Sequence, residues 1–511
     1  MSARSLSAPR RPAPPAAGAG GGARGRHRRG GGGLGGAVLA ACAVCLVLMV
    51  ALGLLGPSAV EPVFGAAGVL PPWFAHAHPS DLLVWVLVAV VLAAGTAAVA
   101  GGLVAVRRGW APRPKRLLAG GAVAVAALLL VPPLGTTDPL NYAAYGRIAA
   151  LGLNPYRVTP AGLAQSGDPV GRLSLAEPWL HTPSVYGPVA TATQWTASLL
   201  GGASMLRTVW LLSVLGGAAF LLTGALLLRL AGADPARRVR SQLLWTLNPV
   251  LWWNLVAGPH VDTLGALCVV AAFWALRRSP VAAALALAAA SAIKLTMGVF
   301  ALPFAWQLRH DRRRLALAAL AGTAALAVGY GLTPQAIGNA RAVSNQAADG
   351  TPWQLLQRNL LIPLFGTAGS NLATTALELV TVALLVVLVS AALPQDVEDA
   401  GAAQLAARPA LAFVLAYLLG TAYVRPWYEA IAWLLLAMLP RSWFDVVVLA
   451  HTTLLTLVYD PGLAHVLTPH WLYALVLQIA YRLVPYGQVL LLAAVAVGCL
   501  RQIRHRRRAL A

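Results

Sequence analysis

Residues 35–56 read GGAVLAACAVCLVLMVALGLLG and contain no charged side chain. An α-helix of this length extends about 33 Å at about 1.5 Å per residue, which is enough to cross a hydrocarbon core of about 30 Å. The stretch is longer than the apolar core of a typical signal peptide, and it lacks a clear small-residue cleavage site. We therefore interpret it as a membrane anchor.

The rest of the chain repeats this pattern. Of its 511 residues, 59% are hydrophobic and only 11% are charged, which leaves too little polar surface for a soluble globule of this size. Apolar runs of about 17 to 25 residues recur along the chain. They predict an all-α, polytopic membrane protein with about 13 or 14 transmembrane helices.

Positive charge is concentrated in the two tails and in short loops between apolar runs, within a formal net charge of +22. Cytoplasmic loops of membrane proteins carry an excess of Arg and Lys, so we expect a plasma-membrane protein with both termini in the cytoplasm. The basic tails are then expected to contact anionic lipid, and nucleic acid is not an expected partner. The predicted domains are a disordered basic tail over 1–34, a transmembrane domain over 35–500 and a basic tail over 501–511.

Some classes of chemistry are excluded by residue usage. The chain has two lysines, Lys115 and Lys294, and glycine precedes neither, so it has no Walker A loop for ATP. Its four cysteines all fall in predicted spans, where neither a disulfide framework nor a metal site is expected. The sequence predicts no metal site and no cofactor, and leaves a requirement for a divalent cation open.

One long segment, 134–206, falls outside the cell when the Arg-rich loops are placed inside. Asp138 begins it and is our candidate general base, because a carboxylate can take the proton of an attacking hydroxyl group. A helix cap is an equally open interpretation, since Pro139 favours the first helical position. The candidates for binding the sugar or the acceptor are Tyr142, Tyr145, Asn154, Tyr156 and Tyr186, with Trp179 as a further aromatic surface.

Three motifs of this loop occur in a distinctive order: Asp-x-x-x-Tyr over 138–142, Gly-x-Asn-Pro-Tyr over 152–156 and Thr-Pro-x-x-Tyr-Gly-Pro over 182–188. In these motifs the chain resembles the actinobacterial polyprenol-phosphomannose-dependent α-1,6-mannosyltransferases of the GT-C glycosyltransferase group. The likeness extends over about 35–500. It implies a mannosyl donor on polyprenyl phosphate, a lipid-anchored acceptor such as lipomannan, an extracytoplasmic active site of GT-C type, and an inverting reaction with a base near Asp138.

A second polar cluster follows Trp252-Trp253-Asn254 at a predicted outer turn. His260 and Asp262 are candidates for orienting the acceptor or for binding a cation, although two ligands alone do not make a metal site. A turn residue and a helix cap explain the same pair nearly as well.

Cations on the predicted outer side are candidates for the donor phosphate. Arg425, in Tyr-Val-Arg-Pro-Trp-Tyr-Glu, is the first choice because a guanidinium group binds phosphate with a planar fork. Lys294 lies in a long apolar stretch, where an unpaired lysine is costly and a snorkelling lysine is the alternative. Arg341 and Arg358 are weaker candidates. Two other interpretations stay open: a transferase for a polyprenyl-phospho-arabinose or -glucose donor, and a lipid or saccharide transporter.

Overall fold

The computed structural model describes residues 23–66, 68–344, 347–394, 401–459 and 466–510. These residues form helices and connecting turns, and they contain no β-strand beyond an isolated bridge between Ser58 and Glu61. The prediction of an all-α polytopic membrane protein is confirmed. The first helix begins at Ala23, within the predicted tail, and residues 1–22 and 511 of the two tails lie outside the described residues.

The α-helices are numbered in chain order. The first eleven are α1 (Ala23–Leu55), α2 (Asp81–Arg107), α3 (Pro114–Leu128), α4 (Asp138–Ala150), α5 (Pro160–Gln165), α6 (Pro169–Leu173), α7 (Pro188–Gly201), α8 (Met205–Leu230), α9 (Pro235–Leu244), α10 (Pro249–Leu251) and α11 (Asp262–Leu276). The others are α12 (Pro280–Ile293), α13 (Ala301–Leu308), α14 (Arg312–Leu332), α15 (Gln335–Ser344), α16 (Pro352–Leu356), α17 (Ile362–Ala392), α18 (Ala402–Gly420), α19 (Ala430–Met438), α20 (Phe444–Tyr459), α21 (His470–Gln478) and α22 (Val484–Leu510).

Seven helical stretches of the described residues are long and apolar enough to cross a membrane. They are Gly32–Leu55, Asp81–Arg107, Met205–Leu230, Arg312–Leu332, Pro352–Ala392, Ala402–Gly420 and His470–Arg508. Four further apolar helical stretches are shorter: Asp262–Leu276, Pro280–Ile293, Leu295–Leu308 and Phe444–Tyr459. This number is lower than the 13 or 14 spans expected from the sequence, because several apolar runs fold as short helices interrupted by turns.

The centre of the bundle is apolar and tightly packed. Every residue of α19 is buried, and the indole rings of Trp245, Trp253 and Trp433 are fully buried. Arg240 of α9 makes two hydrogen bonds of 2.7 Å to the carboxylate of Asp445 in α20 and also donates to two carbonyl groups at the C-terminal end of α19. A buried pair satisfied in this way fixes how α9, α19 and α20 meet.

Other helices expose apolar side chains, as a lipid-facing helix does. Leu320 and Val328 of α14 and Leu384 and Val387 of α17 are each at least 60% exposed. These helices form part of the outer surface of the bundle.

The segment 134–206 is ordered and folds into α4 to α7. Helix α4 packs on α7 at Gly146, where a Cβ atom would lie 2.2 Å from the carbonyl oxygen of Gln194. Arg147 of α4 forms a 2.8 Å ion pair with Asp168, whose other oxygen accepts hydrogen bonds from the first N–H groups of α6. This packing holds the first residue of α4, Asp138, in a fixed position.

Candidate active site

One cavity of about 980 Å³ opens between several helix ends. Its walls are formed by the segment 57–63, the N-terminal half of α4, the residues just after α12 and the turn between α18 and α19. Seven residues selected from the sequence line it: Asp138, Tyr142, Tyr145, Trp179, Tyr186, Lys294 and Arg425. The fold therefore brings together residues that are almost 300 positions apart in the chain.

Asp138 is the first residue of α4, and the start of this helix has no hydrogen bond from a backbone N–H group to a capping side chain. The Oδ2 atom of Asp138 accepts a 3.3 Å hydrogen bond from the hydroxyl group of Tyr142 and lies 3.4 Å from Nδ1 of His260. Burial by itself would raise the pKa of Asp138. This effect is outweighed by the hydrogen bond and the charge of His260, the charge of Arg425 and the hydrogen bond from Tyr142, so the pKa of Asp138 is lowered. The group is a carboxylate at neutral pH and does not serve as a helix cap.

His260 lies behind Asp138 and not in the cavity wall. Its ring stacks on the indole of Trp427, with 3.7 Å between centroids and 11° between planes, and its Nδ1 atom is 3.3 Å from the hydroxyl group of Tyr142. The side chain is 1% exposed. The structure thus gives His260 a position from which it orients Asp138 and Tyr142.

Lys294 forms an ion pair with Asp262, with 2.7 Å between Nζ and Oδ1. The Asp262 side chain is buried and that of Lys294 is 12% exposed, and Nζ of Lys294 lies 3.3 Å from the centroid of the Tyr428 ring. Lys294 therefore does not snorkel to an interface, and Asp262 makes no side-chain cap for α11. The pair joins the first residue of α11 to the residue that follows α12, and Lys294 adds a partly neutralised positive charge to the cavity wall.

Arg425 is held by aromatic rings. Its guanidinium carbon is 4.5 Å from the ring of Tyr459, 4.8 Å from Tyr423 and 5.9 Å from Trp179, and one nitrogen donates a 3.3 Å hydrogen bond to the Tyr423 hydroxyl group. No carboxylate oxygen of the described residues lies within 4.0 Å of it. Its remaining N–H groups can bind an anion in the cavity.

Several of the predicted binding residues lie elsewhere. The side chain of Asn154 accepts the backbone N–H of Tyr156 in a turn, and the Tyr156 hydroxyl group bonds to Thr191, so both stabilise the loop. Arg358 is exposed and lies over Tyr481 at 4.6 Å. Arg341 is exposed on α15, next to Ala340, which does line the cavity.

Sequence reasoning missed two glutamates. Glu177 accepts a 3.0 Å hydrogen bond from Nδ2 of Asn141 and another from the Thr137 hydroxyl group. Burial, together with the nearby negative charge of Asp138, raises the pKa of Glu177 to about 8. Glu61 lines the cavity, and burial raises its pKa to about 9. A lone carboxyl group in an apolar segment, within a chain of only 16 acidic residues, was the available signal.

The two residues considered for a cation, His260 and Asp262, each bind a different neighbour. His260 faces Asp138, whereas Asp262 is paired with Lys294. The described residues contain no group of three or more His, Cys, Asp or Glu side chains placed to hold a metal ion.

The comparisons with known proteins bear on this site. Residues 38–310 match the family model described as alpha-(1->6)-mannopyranosyltransferase, N-terminal domain. This chain belongs to that family. The match includes the segment from Asp138 to Lys294, whereas Arg425 lies beyond it. No solved structure matches the chain.

Individual relatives of this mannopyranosyltransferase family are similar over shorter stretches. A probable alpha-(1->6)-mannopyranosyltransferase of Mycolicibacterium smegmatis is 33% identical over 27% of this chain and 24% of its own. An alpha-(1->6)-mannopyranosyltransferase of Mycobacterium tuberculosis is 31% identical over 27% of this chain and 23% of its own length. Alpha-(1->6)-mannopyranosyltransferase A of the same species is 26% identical over 47% of this chain and 46% of its own length. The alignments thus span from 23% to 46% of these relatives' lengths.

Proposed function

We propose that this protein transfers a mannosyl group from polyprenyl-phosphomannose to a lipid-anchored mannan, such as a lipomannan-type acceptor, and forms α-1,6 linkages. The observation that carries the proposal is a single cavity whose wall contains both the carboxylate of Asp138 and the guanidinium group of Arg425. Aromatic side chains line the same cavity. The names of the relatives favour mannose over the arabinosyl and glucosyl donors.

The reaction requires a base on one side of the anomeric carbon and a cation on the other. In an inverting transfer, the acceptor hydroxyl group attacks the anomeric carbon while Asp138 takes its proton. The bond between that carbon and the phosphate oxygen breaks, and polyprenyl phosphate leaves with one more negative charge. Arg425 stabilises this charge, with Lys294 as a second, partly neutralised cation.

The state of each group supports these roles. Asp138 has a lowered pKa and is therefore ionised before the acceptor arrives, as a base must be. The N–H groups of Arg425 that remain unpaired suit the oxygen atoms of a phosphate, which a guanidinium group binds in pairs. A volume of about 980 Å³ is large enough for two sugar rings and a phosphate.

We further propose that the cavity faces outward across the plasma membrane, with both termini in the cytoplasm. The helix ends around the cavity carry few basic residues, whereas the opposite ends carry runs such as 107–116 and 309–314. A lipid-linked donor then reaches the cavity sideways between helices.

The test is a transfer assay with purified protein in nanodiscs. Radiolabelled polyprenyl-phosphomannose, polyprenyl-phosphoglucose and decaprenyl-phosphoarabinose are each supplied with short α-mannosides. We expect a lengthened product with the mannosyl donor, and nuclear magnetic resonance of that product identifies the linkage. If only another donor gave product, the assigned donor sugar would change to the sugar of that donor. No product from any donor would favour a transporter.

Within the same assay, Asp138→Asn should lower the rate by about 10²- to 10⁴-fold, because the amide cannot accept the proton. Donor binding, measured by retention of labelled donor on the protein, should stay near the wild-type value. Asp234→Asn, the same change in an exposed turn, is the matched control. Wild-type turnover by Asp138→Asn would place the base elsewhere.

A further inference from the structure

Glu61 is a buried carboxyl group that the mechanism above does not use. Its residue is 2% exposed, and neither of its carboxyl oxygens has a hydrogen-bond partner among the described residues. The backbone holds it firmly, because the N–H and C=O groups of Glu61 both pair with those of Ser58. Yet the residue lines the same cavity as Asp138.

The protonation of Glu61 decides what it can bind. Because burial raises its pKa to about 9, the group is neutral at pH 7 and has one O–H donor and an acceptor oxygen. Without a negative charge it is a weak ligand for a metal cation, and without a positive charge it binds a phosphate less strongly than a guanidinium group does. The neutral carboxyl group is a good partner for a hydroxyl group, which donates and accepts as well.

Asn141 is a second unpartnered group in the wall of this cavity. Its Nδ2 atom donates to Glu177 at 3.0 Å, so Oδ1 is the acceptor left over, and no described residue donates to it. Asn141 lies one helical turn after Asp138 in α4.

The backbone connects Glu61 to the start of the same loop. The carbonyl group of Val60, the residue before Glu61, accepts a 2.8 Å hydrogen bond from the N–H group of Gly135, three residues before Asp138. Both unpartnered groups therefore belong to the wall that carries the proposed base, and Arg425 comes from a different turn of the chain.

We propose that Glu61 and Asn141 form a binding site for sugar hydroxyl groups, next to Asp138, and that the sugar is the terminal residue of the acceptor. This inference rests on the proposed function. Buried polar groups without partners cost stability, and a ligand that satisfies them recovers that cost on binding. The site thus fixes which acceptor hydroxyl group reaches Asp138, while Glu177 is a positioning residue that orients the Asn141 amide.

The experiment compares Glu61→Ala, Glu61→Gln and Asn141→Leu with the wild-type protein in nanodiscs. We expect Glu61→Ala and Asn141→Leu to raise the KM for a short α-mannoside about tenfold, with a smaller change in kcat. Glu61→Gln keeps a neutral donor and acceptor of similar size, so it should restore most of the loss.

The donor KM is measured with the same variants. A rise in the donor KM alone would overturn the assignment to the acceptor, because the hydroxyl groups bound would then be those of the donor sugar. Wild-type KM values for both substrates in Glu61→Ala and Asn141→Leu would overturn the inference.

A binding measurement separates this inference from the proposed function. The shift in melting temperature caused by the α-mannoside, without donor, should be smaller in Glu61→Ala than in the wild-type protein and should recover in Glu61→Gln. An absence of transfer by the wild-type protein would contradict the proposed function alone. Equal shifts in all three proteins would contradict the sugar site alone, and each protein is first checked for a single melting transition.

Discussion

At the scale of single residues, Arg425 gives the clearest prediction. Arg425→Ala should raise the donor KM by about tenfold or more, because the phosphate loses its charge-assisted hydrogen bonds. Arg425→Lys keeps the charge but not the planar fork, so we expect it to recover only part of the loss. Donor titrations in the transfer assay measure both effects.

The matched control is Arg358→Ala. Arg358 is exposed and lies outside the cavity wall, over the ring of Tyr481. Its removal should leave the donor KM close to wild type. A large effect from Arg358→Ala together with none from Arg425→Ala would move the phosphate site to the other residue.

The residues of the candidate site differ in how far the sequence could predict them. Lys294 and Arg425 stood out because a cation in an apolar segment that is predicted to lie on the outer side is costly without a role. Their partners could not be read from the sequence: Asp262 is 32 positions from Lys294, and the rings around Arg425 come from several segments. Glu61 was missed because its burial and lack of partners are properties of the fold.

At the scale of helices, the position of Asp138 depends on how α4 packs against α7. Gly146→Ala would place a Cβ atom 2.2 Å from a backbone oxygen of Gln194, which cannot move without moving α7. We expect a cost of about 1–3 kcal/mol, typical of overpacking, and a lower transfer rate because α4 carries Asp138. Thermal unfolding and the transfer assay measure the two effects.

Gly216→Ala is the matched control for that change. Gly216 lies in α8, and a Cβ atom there would meet nothing within 4 Å, so the variant should be as stable and active as the wild-type protein. If Gly146→Ala behaved like Gly216→Ala, close contact between α4 and α7 would not be what positions Asp138.

The elements themselves were only partly predictable. Apolar runs identify helices, but they do not show where a run breaks into two short ones. In 252–257 the chain forms a π-helical turn between α10 and α11, and after Lys294 a 3₁₀ turn separates α12 from α13. These breaks place Asn254 and His260 in the interior, and they leave fewer helices of full membrane-spanning length than the number of apolar runs.

At the scale of the whole molecule, the residues of the cavity come from one end of the bundle. Tyr330, near the end of α14, donates a hydrogen bond to the carbonyl group of Ser291, near the end of α12 and close to Lys294. The other ends of α12 and α14 carry Arg277, Arg278 and Arg312. The basic ends are thus separated from the cavity by the lengths of these helices, about 21 Å for the 14 residues of α12 and about 31 Å for the 21 residues of α14.

This separation yields a prediction about sidedness. In a variant without the four native cysteines, Ser166→Cys lies in the loop that carries Asp138, and His310→Cys lies in the turn between α13 and α14, at the opposite end; both positions are exposed. A membrane-impermeant maleimide added to intact cells should label position 166 and not position 310, because basic turns stay in the cytoplasm.

Permeabilised cells provide the control, since both positions should then react. The opposite labelling pattern in intact cells would place the cavity in the cytoplasm, where a nucleotide sugar and not an outward-facing lipid-linked donor would be the available substrate class. Labelling of position 166 in intact cells would instead require that sugar reach the cavity already attached to a lipid, because nucleotide sugars are made in the cytoplasm. Sidedness therefore constrains the chemical class of the donor independently of any residue in the site.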